Sequence, residues 1–235
     1  MNIYINPKKV FMVLLIIISL LLFFHIIALI CKYYFDLYDF TIVKVINNLF
    51  NFNLERNIPT LYSALALFLS SLLLLIIAIK HKNIGSAYVG WFGLMFIFLF
   101  VGFDEISMVH ERVSPLVQQA LNTTGVLYYA WVIPYGAISA ILAVLYLRFL
   151  LRLPKTIGIL FIVSGTIFLS GAIGFEMLGS VVHMEEGRNN NLHYAVLYTV
   201  EELLEMLGIA LFIYALLSYI SDQFDYLTIT IKKKI

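Results

Sequence analysis

The chain has 235 residues, 62% of them hydrophobic and 12% charged, with a formal net charge of +1. A soluble domain carries about 25% charged residues, so residues 1–235 are read as one integral membrane domain. The near-neutral balance, with no basic patch or aromatic RNA motif, excludes nucleic acid as a partner; Cys31, the only cysteine, excludes an intrachain disulfide and thiolate metal sites.

Six apolar segments reach the length of about 20 residues needed to cross the hydrocarbon core. In chain order they are Val10–Cys31, Thr60–Ile79, Ser86–Met108, Leu127–Leu151, Thr156–Val182 and Tyr194–Ile220. Helix is the state expected for all of them, because lipid offers no partner to free backbone groups. The first follows Lys8 and Lys9 and ends in bulky Tyr33, Tyr34 and Phe35, so it reads as a retained span and not a cleaved signal.

Between the first two spans, Phe40 to Phe52 mixes apolar residues with Lys44, Asn47 and Asn48, the pattern of an interfacial helix. Asn53 to Asn57 reads as a turn, and Pro59 suits the first turn of the second span. His25, alone in the first span, reads as a packed or hydrogen-bonded histidine. His81, beside Lys80 and Lys82, reads as a solvated loop residue. Trp91, Trp131 and the tyrosines near span ends read as an interfacial belt. Val181 to His193 reads as a short polar loop turning at Gly187.

The positive-inside rule orients the bundle. Lys8, Lys9, Lys80, Lys82, Arg148, Arg152, Lys155 and Lys232 to Lys234 fall on one side, ten basic residues against five on the other (Lys32, Lys44, Arg56, Arg112 and Arg188). Both termini are therefore expected in the cytoplasm.

Nine of the fourteen carboxylates sit in three short stretches. These are Asp104-Glu105 with His110-Glu111, then Glu176 with His183, Glu185 and Glu186, then Glu201-Glu202 with Glu205. With the termini inside, all three fall in the outer half of the bilayer. An ionisable side chain at the centre of a span costs roughly 2.5–3.5 kcal/mol on insertion scales, so such a grouping calls for cations, shared protons or a water-filled cavity. Glu185 and Glu186, past the span end, are expected to face water.

Helical spacing sharpens the pattern. Asp104, Ser107, Met108 and Glu111 follow i, i+3, i+4, i+7 and are expected on one face. Glu176 and His183 bracket Gly179 and Ser180, small residues that let helices approach. Tyr194, Tyr198, Glu201, Glu202 and Glu205 form a third stripe, with Glu205 ~16 Å along the axis from Tyr194 at 1.5 Å per residue.

Carboxylates and imidazoles from several helices are the ligand set of di-iron and di-manganese bundles. Oxygen and nitrogen donors without thiolates suit iron, manganese or zinc. The expected ligands are Glu111, Glu176, His183, Glu202 and Glu205, completed from Asp104, Glu105 or His110, with Tyr198 and Glu201 in support. The soluble di-iron signature Glu-x-x-His is missing, and no Gly-rich phosphate loop points to a nucleotide cofactor. The leading expectation is a metal oxidoreductase acting on a lipid or other hydrophobic small-molecule substrate, with membrane lipids as surroundings and no protein partner indicated. Three alternatives stay open: a proton- or cation-coupled transporter, a zinc hydrolase using His183, His110 and a carboxylate, and an accessory subunit whose acids make interhelical hydrogen bonds.

Two stretches resemble a known pattern. Phe52 to Ser63 resembles an L-x-x-E-x-N-x-P-T-x-x-S segment, and Phe103 to Arg112 resembles S-x-D-E-x-x-x-x-H-E, with Val101-Gly102 where that pattern commonly has an apolar residue and a serine. Both occur in a family of uncharacterised bacterial multi-pass membrane proteins, and the similarity covers roughly the middle third of the chain. The resemblance implies a bacterial inner-membrane protein and adds Glu55 and Asn57 to the outer cluster. It implies no activity.

Overall fold

The computed structural model describes residues 6–35, 37, 40–186 and 192–224, and among these it is helical with no strand. Six helical stretches are long and apolar enough to cross a membrane. They comprise α1 (Pro7–Tyr33), α3 (Ile58–Asn83), α4 (Val89–Ser107), α6 (Val132–Leu150), the stretch Lys155–Glu186 and α9 (Leu192–Gln223). The fifth stretch is composite: α7 (Lys155–Leu169), one π-helical turn (Ser170–Phe175) and α8 (Glu176–Glu186). Two further α-helices lie outside the spans among the described residues, α2 (Thr41–Phe50) and α5 (Val109–Leu121), with one 3-10 turn at Gly125–Leu127.

Local chemistry sets the ends. Asn6 accepts from the Lys9 N–H at 3.2 Å with Pro7 following, and Asn57 accepts from the Thr60 N–H at 3.1 Å with Pro59 following. Each pairs a side-chain cap with a proline placed where its missing donor costs nothing. The helix expected over Phe40–Phe52 is α2, packed against α1 and α3.

α9 is the axle of the bundle, contacting α1, α3, α7 and α8. Its most apolar stretch is 61% buried, against 6% for α6. Leu74, Ile77, Ile213 and Leu216 form the inward core with Trp91 and Met95. Gly208 lets α7 approach so closely that a Cβ there would stand 2.8 Å from the Phe168 nitrogen and 2.9 Å from the Ser164 carbonyl oxygen. On α1, Met12, Ile16, Leu20 and Phe23 are exposed along one side, the surface a bilayer would cover.

Three expectations need correction. The third span does not run on through Met108. Met108 takes a left-handed conformation (φ 56°), α4 ends at Ser107, and α5 starts in a new direction, so Asp104 and Glu111 share no continuous helical face. His81 is no solvated loop residue: it stacks on Trp91 and Tyr219, and its Nε2 lies 2.8 Å from the Tyr219 hydroxyl. Trp91 and Trp131 are buried, not belt residues, because each ring is enclosed by neighbouring aromatics. His25 is fully buried; Phe52 N–H donates to its Nδ1 at 3.3 Å, and its Nε2 lies 2.9 Å from the Thr199 hydroxyl. The turn expected at Gly187 and the basic residues Arg188 and Lys232 to Lys234 lie outside the described residues.

Candidate functional site: a carboxylate cavity

At one end of the bundle, α4, α5, α6, the π turn and α9 enclose a cavity of about 400 Å³. Eight carboxyl side chains line it: Glu55, Asp104, Glu105, Glu111, Glu176, Glu201, Glu202 and Glu205. His110 joins them, and no lysine or arginine does. Nearly half of the remaining wall residues are aromatic, including Tyr128, Tyr129, Trp131, Tyr135, Tyr194 and Tyr198.

The break at Met108 builds one side. A new helix starts with unpaired backbone N–H groups, and Asp104 reaches forward to satisfy one. Its Oδ1 accepts from the His110 N–H at 3.0 Å, and its Oδ2 pairs with His110 Nδ1 at 3.0 Å. The Tyr135 hydroxyl also reaches this carboxylate. The His110 ring packs on Trp131 with centroids 4.9 Å apart. Burial alone would lower the His110 pKa, but the hydrogen bond and charge of Asp104 outweigh it and hold the value above the ordinary 6.5. Asp104 and His110 are therefore engaged with each other.

Glu55 enters from the bend between α2 and α3, where Arg56 takes a positive φ of 60°. Asn57 stands behind it and does not line the cavity. Besides capping α3, Asn57 donates to the Asn51 carbonyl at 2.6 Å, which fixes the bend. Burial pushes the Glu55 carboxyl above its ordinary 4.5; nearby His110 opposes this, and Glu111 reinforces it.

The π turn builds the opposite side. One such turn re-aims whatever follows it, and these turns recur at functional sites. Here the next residue is Glu176, whose Oε1 accepts from the Trp131 indole N–H at 2.9 Å. Gly171 in the same turn meets α9 closely: a Cβ there would lie 2.6 Å from the Glu201 carbonyl oxygen. This approach brings the Glu176 and Glu201 carboxyls within hydrogen-bonding reach.

α9 supplies the floor. Glu202 and Glu205 face the cavity without a protein hydrogen bond among the described residues, and each feels Glu55, Glu105 and Glu176 as charged neighbours. Like charges sharing one buried wall repel one another far more strongly than they would in water. The ionised set therefore needs protons or cations.

His183 does not line the cavity. Its Nδ1 is hydrogen-bonded to the Tyr129 hydroxyl, which also lies 3.2 Å from the Tyr194 hydroxyl. Glu185 and Glu186 are exposed in the last turn of α8. Among the described residues, no three His, Cys, Asp or Glu side chains converge closely enough to hold one metal ion as they stand; the carboxyls ring the space instead. The sequence reading missed Trp131 and Tyr135, spaced i and i+4, and Gly171, whose role depends on the π turn.

A family model described as "Domain of unknown function (DUF8692)" matches residues 10–220. The chain belongs to the DUF8692 family. The match takes in every wall residue of the cavity, so the site lies within the DUF8692 domain and not on an appendage. No curated protein and no solved structure matches the chain.

Proposed function

We propose that this DUF8692 protein sits in a bacterial inner membrane with both termini cytoplasmic and binds a hard divalent cation in the carboxylate cavity, facing outward. One observation carries the reading: eight carboxyls and one imidazole share a cavity with no lysine or arginine in its wall. Glu202 and Glu205, which lack protein partners among the described residues, would be the central ligands, with Glu105 and Glu176 closing around the ion and water completing its shell.

The donor set favours manganese among the metals that the sequence suggests. With His183 outside the wall, oxygens predominate among the donors: eight carboxyls against one imidazole, His110, whose Nδ1 pairs with Asp104. Carboxylate and water suit manganese, magnesium and calcium, whereas iron and zinc sites draw on imidazole. Glutamate side chains have enough rotamer freedom to converge on an ion from the positions they hold.

A proton-coupled carrier would need a polar path onward through the bundle. Inward of Glu205 the packing is carbon-rich, with Met206, Ile209 and Ile213 buried. The hydroxyls of Ser70, Ser71 and Ser164 are spent on the backbone carbonyls of Ala66, Met95 and Phe161. This favours a blind site.

The test is metal analysis of protein purified from cells supplemented in turn with manganese, iron and zinc, followed by equilibrium dialysis with manganese. Stoichiometric manganese that is lost in Glu202→Gln and Glu205→Gln supports the proposal. Absence of any stoichiometric divalent metal under all supplements sinks it.

A further inference from the structure

A second cavity, of about 270 Å³, lies inward of the first, between α4, α6, α7 and α9. Its walls are almost wholly carbon, from residues such as Leu94, Phe98, Leu142, Phe161 and Phe212. The Tyr146 and Ser164 hydroxyls at its edge donate to the backbone carbonyls of Gly90 and Phe161. The two cavities share Val101, Ser139, Phe168 and Leu169, so one continues into the other.

Water gains little in such a space, because it finds few hydrogen-bond partners there, and apolar cavities take apolar guests. The outer wall is α6, the least buried span, so the slot borders the hydrocarbon of a bilayer. Gly165 helps to open it: nothing lies within 4 Å of where its Cβ would stand. From Val101 to Leu94 the slot follows α4 for ~10 Å at 1.5 Å per residue.

We infer that the slot holds the hydrocarbon chain of a lipid-like amphiphile whose uncharged, oxygen-bearing head enters the carboxylate cavity. What the head meets there rests on the cation reading above; the slot does not. An anionic head would be repelled by the carboxylates. A hydroxyl or carbonyl oxygen would instead meet a hard cation as one more oxygen donor. The class of substrate is thus a long-chain alcohol or ester, presented from the bilayer through the side of the bundle and not from water.

The experiment is photolabelling of the purified full chain in lipid nanodiscs with a long-chain alcohol carrying a diazirine in mid-chain. Label is expected on α4 and α7 wall residues such as Ile97 and Phe168. Gly165→Phe, which fills the slot, should lose labelling there by at least roughly tenfold, since each methylene kept out forfeits its burial. Gly165→Ala should keep it. Ala143→Phe, on the opposite wall, should lose it too and covers the case in which Gly165→Phe folds poorly. Bound manganese is measured on the same samples and should persist in Gly165→Phe. Labelling that follows these variants while no manganese binds leaves the slot standing and removes only the cation reading. Wall labelling unchanged in both filling variants, or label confined to the exposed α6 residues Val144 and Leu145, overturns the inference.

Discussion

The Trp131 indole N–H donates to Oε1 of Glu176 across 2.9 Å and ties the turn before α6 to the first residue after the π turn. The bond fixes one carboxylate oxygen, while the Glu176 carboxyl meets Glu201 within the cavity wall. Groups that orient a metal ligand typically cost 10–100-fold in affinity when removed. Trp131→Phe keeps an aromatic ring in the pocket and deletes the donor together with the volume of the second ring, a loss that Trp91→Phe shares. We expect manganese to bind roughly tenfold more weakly in this variant, read by equilibrium dialysis. Trp91→Phe, in the core at the far end of the bundle, serves as the control. Equal affinity in Trp131→Phe and wild type would show that Glu176 needs no such support.

Glu205→Gln should move stability and binding in opposite directions. The substitution keeps size and removes a charge from a wall where its charged neighbours are Glu55, Glu105 and Glu176. With divalent cations chelated, the apparent Tm should rise by roughly 2–4 °C for each kcal/mol of repulsion relieved. Manganese affinity should fall at least about tenfold, as expected when a direct charged ligand is lost. A drop in Tm together with unchanged affinity would place Glu205 in packing and not in a cation site.

The spans were legible because lipid imposes a length and an apolar composition that few other structures share. Grouping the acids was legible because odd-numbered spans run one way and even-numbered spans the other, so Glu105 and Glu202 come to one end. The helix break was not. Methionine has no preference for left-handed backbone, and Met108 adopts it because Asp104 caps the helix that follows. The displacement of His183 was hidden for a related reason. Seven-residue spacing put it on the Glu176 stripe, but Tyr129, distant in sequence, stands between it and the cavity as its hydrogen-bond partner. Tertiary partners of this kind leave no local periodic signal. His81 shows the same limit, since its flanking lysines mark a polar helix end while its ring packs among aromatics from α4 and α9.

The Asp104–His110 pair gives a dependence on pH. The His110 pKa is raised in the fold, so the pair's stabilisation is complete below the ordinary 6.5 and drains away as pH climbs through the higher folded value. Glu55 acts in the same direction, because its raised pKa makes ionisation costly as pH rises above 4.5. Glu105, Glu111 and Glu55 also line the cavity near the imidazole. With divalent cations chelated, the wild-type Tm should therefore fall as pH rises above the ordinary histidine value of 6.5. Asp104→Asn keeps an acceptor for the His110 N–H but removes the charge, and should flatten this slope, because that charge raises both His110 and Glu55. A wild-type Tm that climbs over this range would contradict the pairing.

Gly171 and Gly174 occupy the same π turn and should respond differently to the same substitution. A Cβ at Gly171 would lie 2.6 Å from the Glu201 carbonyl oxygen and 3.1 Å from the Glu205 Cγ, whereas one at Gly174 meets nothing within 4 Å. Backbone cannot step aside as a flexible side-chain end can, so Gly171→Ala must push the π turn and α9 apart. Overpacking of this kind costs about 1–3 kcal/mol. Because α9 carries Glu201, Glu202 and Glu205, the shift should also loosen the cation site and weaken manganese binding. Gly174→Ala gains helix propensity without a clash and should match or exceed the wild-type Tm. Paired thermal melts and manganese dialysis on the two variants check both claims. If Gly171→Ala behaves like Gly174→Ala, the close approach of α9 is not what holds Glu176 against Glu201.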